Sequence, residues 1–439
     1  MPRPMSAPAA SAPPQSALTR HEWALLASAY LSQFVALGFF FMALTAILRG
    51  QGVPLAQLGW LYMLGLVPSL KFLWAPLMDR WGFGVRGHYG KWLALMQALL
   101  IASLLALSQL PMQAGAAPPM RALVAGSVAI ALLTACQDMA ADGLSCRLLG
   151  PRQRGLGNAV QLAGGLLGFA MGGGGVLMLY EAWGWQVAVL SLTLLNLLPL
   201  ALALTYREPA HARPVPAARQ ARMRDYWRQL LDFWRQPRTG WAWALFIASL
   251  PVGAGMAYGV LTPMLVDLGW SMGQIGRVVH LYATVPGVIG VLALGLAMRR
   301  WSPAHALRWV LPAQALAVAL LAAPLLHGAG QAWVLLGVIG YMALYMPLET
   351  LAAALMMGRA SARAPATDFS MQHGLYSTAG HAAGALALPL AGRFGYGALL
   401  LLATGIGLLL CLVAPWLWRR AGQDDPPTSI TPCSPSHPA

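Results

Sequence analysis

Asp138 and Asp142 stand four residues apart inside Arg121 to Cys146, a stretch that is otherwise almost wholly apolar. Lys71 interrupts a second apolar stretch earlier in the chain. A charged side chain in hydrocarbon is costly unless it is paired or faces water, so such residues mark an ion or substrate route. Burial favours the neutral form of a carboxyl, whereas a nearby ammonium favours the ionised form. A carboxylate beside Lys71 can therefore exchange a proton as water access changes, which is the minimum chemistry of proton-coupled transport. A fixed ion pair that merely orients two helices is the structural alternative.

The elements that position these groups follow from composition. Of 439 residues, 58% are hydrophobic and 9% charged, against roughly 25% charged in soluble domains. About 20 apolar residues cross a hydrocarbon core, and twelve such stretches are predicted. They cover 24–48, 58–78, 91–110, 121–145, 156–180 and 184–205, then 241–266, 275–298, 305–326, 331–357, 369–392 and 396–418. The expected fold class is an all-α membrane protein with twelve transmembrane helices in two pseudo-symmetric six-helix bundles. The expected organisation is a tail over 1–20, bundles over 21–205 and 239–420, a linker over 206–238 and a tail over 421–439. The first segment has no apolar core of the signal-peptide kind, and both tails are Pro- and Ser-rich, so both are expected to be disordered. In the linker, Tyr226, Trp227, Leu230, Leu231 and Trp234 recur at helical spacing, predicting an amphipathic helix on the membrane surface.

The formal charge of +15 invites a nucleic-acid reading, but the charges occupy alternate loops. Arg80, Arg86 and Lys91, then Arg147, Arg152 and Arg154, then eight arginines from Arg207 to Arg238, lie on one side. Arg299, Arg300, Arg308, Arg359, Arg363, Arg419 and Arg420 continue that pattern, while Arg49, Arg121, Arg277 and Arg393 fall on the other. Lys and Arg mark the cytoplasmic side, so both termini are expected in the cytoplasm and no nucleic-acid partner is implied. Cys136, Cys146, Cys411 and Cys433 show neither metal-ligand spacing nor a disulfide framework. No metal and no cofactor are expected, and the chain is expected to act as a monomer.

Lys71 falls eight residues before Asp79, where the second span ends, so it lies about 12 Å inside. Asp138 falls at a similar depth in the fourth span, and Asp142 is one turn nearer the cytoplasm, competing for the same ammonium. The halves repeat weakly: Cys136-Gln137-Asp138 corresponds to Pro347-Leu348-Glu349, each followed by a basic loop and a small-residue helix. Asp138 and Glu349 are therefore expected to face one cavity as the titrating pair, Glu349 having no cation in its own half. Gln33, Gln137, Gln161 and Gln372 offer neutral hydrogen bonds to a substrate; Trp74, Tyr345 and Tyr376 offer stacking surfaces; His373, with His280 and His381, adds a titratable ring. Gly164, Gly168 and Gly172, and likewise Gly287, Gly290 and Gly295, are expected to pack the halves together.

Six plus six spans with internal repetition resemble the layout of major facilitator transporters, whose substrate site lies between the halves. Lys71-Phe72-Leu73-Trp74-Ala75-Pro76-Leu77-Met78-Asp79-Arg80 resembles the KFLWxPLxDR signature of AmpG-like permeases. Gln137-Asp138-Met139-Ala140-Ala141-Asp142-Gly143 resembles the QDxxxDG element shared with acetyl-CoA transporters. The opening YLSQFVALGFFFMALTAILR is most similar to RhtX/FptX-type siderophore importers within that branch. The resemblance implies a bacterial inner-membrane importer that takes a ferric siderophore into the cytoplasm with protons. It places Lys71, Asp138 and Asp142 in the charged motif and Asp79, Arg80 and Lys91 in a cytoplasmic gating loop. That loop, DRWGFGVRGHYGKW, lacks the family's compact run of arginines. Uptake of muropeptide fragments is the main rival and drug efflux a lesser one. A membrane enzyme is disfavoured because Asp138 and Asp142 share one helix and no HExxH, GxSxG or P-loop occurs.

Overall fold

The computed structural model describes residues 18–74, 78, 88–112, 117–149, 154–208, 223–298, 300–327, 330–360 and 365–422. Among the described residues every regular element is helical, as hydrocarbon requires of a chain that must satisfy its backbone within each segment. The first half comprises α1 (Arg20–Gly50), α2 (Leu55–Ser69), α3 (Tyr89–Ser108), α4 (Met120–Leu148), α5 (154–183) and α6 (185–205). A linker helix α7 (Met223–Arg235) precedes α8 (Trp241–Asp267), α9 (Met272–Ala297), α10 (Pro303–His327), α11 (Gln331–Arg359), α12 (365–394) and α13 (396–420).

Nine of the described helices are long and apolar enough to cross a membrane. Two of them, of 43 and 54 residues, are longer than one crossing needs. Each is broken at a glycine with left-handed backbone, Gly184 at φ 78° and Gly395 at φ 83°. Only glycine adopts that region without steric cost, so the chain reverses at these points. Helix α2 is shorter and tightens into a 3-10 turn at Lys71–Leu73.

Small residues set how the helices pack. A Cβ on Gly168 or Gly172 would stand 2.1 or 1.9 Å from the carbonyl oxygens of Leu31 and Val35, and one on Gly38 would stand 2.3 Å from that of Phe169. The α5 glycines are thus a seam with α1 inside the first half, not a contact between halves as their spacing suggests. Gly287 and Gly290 likewise face Met346 and Ala343 of α11 inside the second half, and Gly295 faces open space. Contacts between the halves use other residues. The His280 ring of α9 sits on Gly173 and Gly174 of α5, the His381 ring of α12 sits on Gly65 of α2, and Gly59 abuts Ala385. Buried Tyr62 shares its hydroxyl proton between Phe41 O in its own half and Tyr258 O in the other, both at 3.2 Å.

The buried core is asymmetric along the helices. At the end with few charges a single cluster draws on both halves, from Phe39, Leu58 and Val176 to Val260, Val279 and Leu388. Towards the basic end it divides into one cluster around Leu25, Tyr30 and Leu144 and another around Trp243, Phe246 and Leu351. The packing of helix α7, Met223–Arg235, differs from its sequence pattern. Leu230 and Phe233 are buried against Met371 of α12 and Phe72, while Trp227 and Leu231 stay exposed. The side chain of Tyr226 lies outside the described residues.

Replacing Gly172 with Val should destabilise the protein by about 1–3 kcal/mol, read as a lowered melting temperature in detergent. Gly295→Ala, whose Cβ meets nothing within 4 Å, should leave it unchanged. Equal effects would show that the seam is not tightly packed.

Candidate functional site

Helices α2 and α4 bring three charges together. The Lys71 ammonium donates to Asp138 Oδ2 and, at 2.9 Å, to Asp142 Oδ2. The turn at Lys71–Leu73 swings the lysine towards α4, and the four-residue spacing of the aspartates places both on its facing side. Asp142 therefore shares the ammonium instead of competing for it. Gln161 of α5 reaches Asp142 Oδ1 at 3.5 Å. The site is graded in exposure, with the Asp138 side chain at 6%, Lys71 at 23% and Asp142 at 37%. The other oxygen of Asp138, Oδ1, is buried without a hydrogen-bond partner among the described residues. Unsatisfied buried polar atoms are uncommon.

The second half supplies a different carboxylate environment. Tyr345 and Tyr376 donate to the same oxygen of Glu349, Oε1, at 2.8 and 3.0 Å. None of the ion pairs among the described residues involves Glu349. Tyr345 stacks on Tyr341, with centroids 5.3 Å apart. The two tyrosines thus hold the carboxylate, a role their sequence pattern did not assign. His373 is exposed, stacks on Phe369 and contacts Ser377 through Nδ1 at 3.3 Å.

Gln137 and Gln372, two of the expected cavity residues, are engaged in bonds between helices. Gln137 is fully buried and donates to Ala29 O and Ser32 Oγ, both at 3.1 Å, clasping α4 to α1. Ser32 also receives Gln97 at 2.9 Å and donates to Asn196, so one hydroxyl ties four helices. Gln372 is equally buried, accepting from the Trp243 indole at 2.8 Å and donating to Met356 O and Asp368 O. Gln33 is buried on α1, and its Oε1 has no hydrogen-bond partner among the described residues. Trp74 is half-buried. Lys91 is exposed on the first turn of α3, while Asp79 and Arg80 lie outside the described residues.

The sequence reading missed the polar contacts that close the opposite end. Arg49 of α1 makes a bidentate pair with Asp267 of α8 at 2.6 and 2.7 Å, and Tyr396 donates to the same carboxylate at 2.6 Å. Glu181 of α5 receives the Gly273 amide and, at 3.3 Å, the Ser271 hydroxyl at the start of α9. A signal existed: Arg49 is one of few basic residues on its side, and a lone charge at a span end needs a partner.

The Major Facilitator Superfamily matches residues 25–388 of this chain. The chain is 28% identical over 270 residues to the anhydromuropeptide permease of Escherichia coli strain K12, covering 60% of this chain and 52% of that protein. A Rickettsia felis sequence described as a transporter AmpG 4 is 24% identical over 272 residues, covering 59% of this chain and 63% of that one. The chain thus spans roughly half to two-thirds of the length of these curated relatives. In fold it is similar to the peptide transporter POT in complex with sulfate, with TM-score 0.68, 14% identity and 93% and 97% of the two chains covered. The nucleoside transporter NupG gives TM-score 0.62 at 13% identity, covering 91% and 100%.

Gln137→Leu should cost about 1–3 kcal/mol of stability by stranding Ser32 and Ala29, while leaving substrate affinity unchanged in a binding titration. A loss of affinity at unchanged stability would return Gln137 to the cavity wall.

Proposed function

Because the chain belongs to the Major Facilitator Superfamily, we propose that it is an inner-membrane secondary transporter of twelve crossings that imports a muropeptide-type solute with protons. Its two bundles, over 21–205 and 239–420, alternate access around the site between them, with both termini in the cytoplasm. The cargo reading draws on similarity to the Escherichia coli anhydromuropeptide permease, and it displaces the ferric siderophore that the RhtX/FptX resemblance favoured. The observation that carries the coupling mechanism is the lysine held by two aspartates, one of which keeps an unsatisfied buried oxygen.

Two carboxylates and one ammonium leave one negative charge in excess. A proton arriving on Asp138 removes that excess and leaves Lys71 paired to Asp142 alone. The ammonium is then open to an acidic group on the solute, such as the carboxylates of a sugar-linked peptide. Glu349, bound by two neutral donors on one oxygen, keeps its second oxygen to carry or lose a proton. In the conformation described, the core is shared at the sparsely charged end and divided at the basic end, as an inward-facing state requires. Reversal demands that Arg49 leave Asp267 and Glu181 leave Gly273.

Right-side-out vesicles under an imposed proton gradient should accumulate labelled anhydromuropeptide, and a protonophore should abolish this. Accumulation of a labelled ferric siderophore that muropeptide does not displace would restore the siderophore reading. Asp138→Asn and Glu349→Gln should each reduce uptake to background at normal membrane levels. Full uptake by both would remove the coupling assignment.

A further inference from the structure

Two cavities, of about 370 and 590 Å³, open on either side of Trp270 at the sparsely charged end, and the transport site uses neither. The smaller lies within the second half, lined by Gln274, Arg277 and Tyr282 of α9 and by Gln331 at the start of α11. The larger crosses between the halves, from Met112, Tyr180 and Glu181 to Ser271 and Met272. Local sequence fixes the indole that separates them. Helix α8 stops at Asp267, and Gly269 takes left-handed backbone at φ 82°. Gly269 N then donates to Val266 O at 2.9 Å and Trp270 N to Leu265 O at 3.1 Å, the paired bonds of a Schellman turn. The next residue, Ser271, already caps α9. Its hydroxyl accepts from Gln274 N at 3.2 Å, and Gln274 Oε1 accepts from Ser271 N at 2.9 Å. The backbone of Trp270 is therefore set from both sides.

Charge is divided across this groove. Glu181 Oε2 and Arg277 Nη1 stand 2.7 and 3.3 Å from where a Cβ on Gly273 would lie. Neither forms an ion pair among the described residues, whereas Arg49 at the same end is held by Asp267. Arg277 is exposed. Cavities with aromatic walls and a few placed polar groups suit small solutes. The weakly positive C–H face of a sugar ring complements the negative face of an indole, and guanidinium binds carboxylate through paired N–H donors.

We propose that this groove is a docking site for an acidic, sugar-linked peptide before its transport. The sugar ring lies on Trp270, a carboxylate of the solute pairs with Arg277, and sugar hydroxyls donate to Glu181. Those hydroxyls replace the Gly273 amide and the Ser271 hydroxyl that Glu181 now receives. Docking thereby favours the state in which the halves part at this end, because the solute binds that state better. The assignment rests on the importer reading above, and its test separates the two.

In right-side-out vesicles of the full chain, Trp270→Ala and Arg277→Gln should each raise the KM for anhydromuropeptide roughly fivefold to tenfold at unchanged maximal rate. Trp270→Phe should restore part of the loss. Arg121→Gln, which removes an exposed charge from the same end but lines neither cavity, should change nothing. In Gln331→Cys, anhydromuropeptide should slow labelling by a membrane-impermeant maleimide, and still do so with Asp138→Asn added, since docking precedes transport. With wild-type uptake intact, unchanged KM in both variants, a lowered maximal rate at unchanged KM, or labelling that the solute does not slow would overturn the docking site alone. Protection of the cysteine without wild-type uptake would remove the import reading and keep the groove as a binding site. Neither protection nor uptake would remove both.

Discussion

An ammonium shared by two carboxylates inside a helical bundle is the constraint on which the remaining structure depends. Lys71, Asp138 and Asp142 are tolerable at their depth only together, because removing one partner of a buried pair leaves an uncompensated charge. The arrangement therefore dictates the ends of α2 and α4. Helix α2 gives up regular winding at Lys71–Leu73, and α4 presents its aspartates one turn apart. The bond network around Ser32 holds α4 in that rotation, joining Gln137, Gln97 and Asn196. A structural hydrogen-bond cluster thus fixes the face on which the charges lie.

Glycines set the packing both within and between the halves. Within each half, backbone meets backbone at glycines, as where Gly168 and Gly172 admit Leu31 and Val35. Such seams resist shear, since no side chain stands between the helices. Between halves Gly59 likewise meets the Ala385 carbonyl and Gly276 that of Gly174, and rings on glycine and polar groups at helix ends are added. Examples are His280 against Gly173, His381 against Gly65, and Arg49 with Asp267. The fold is that of a transporter of the Major Facilitator Superfamily built from helices of two halves.

Much of this was legible in the residues. The charged triad and the helical spans follow from single charges in apolar runs and from span length, two signals that tertiary context rarely overrides. Partner identity was harder to read. The glycine spacing of α5 announces close approach but not to which helix, and α1 proved to be the neighbour. A buried glutamine reads the same whether it faces a solute or, like Gln137 and Gln372, a backbone carbonyl. In α7 the stripe from Trp227 to Trp234 omits Phe233, whose burial against Met371 is set by where α12 begins. Periodicity finds a helix, whereas the face it buries is decided by the neighbours.

The central claim is that the triad exchanges a proton as solute binds, and the direct measurement is proton linkage. Calorimetric titration of the purified protein with anhydromuropeptide, repeated in buffers of different ionisation enthalpy, yields the number of protons exchanged per solute. The account predicts a non-zero number in the wild type that vanishes in Asp138→Asn. Binding with no proton exchanged in the wild type, or with the same number in the variant, would contradict it.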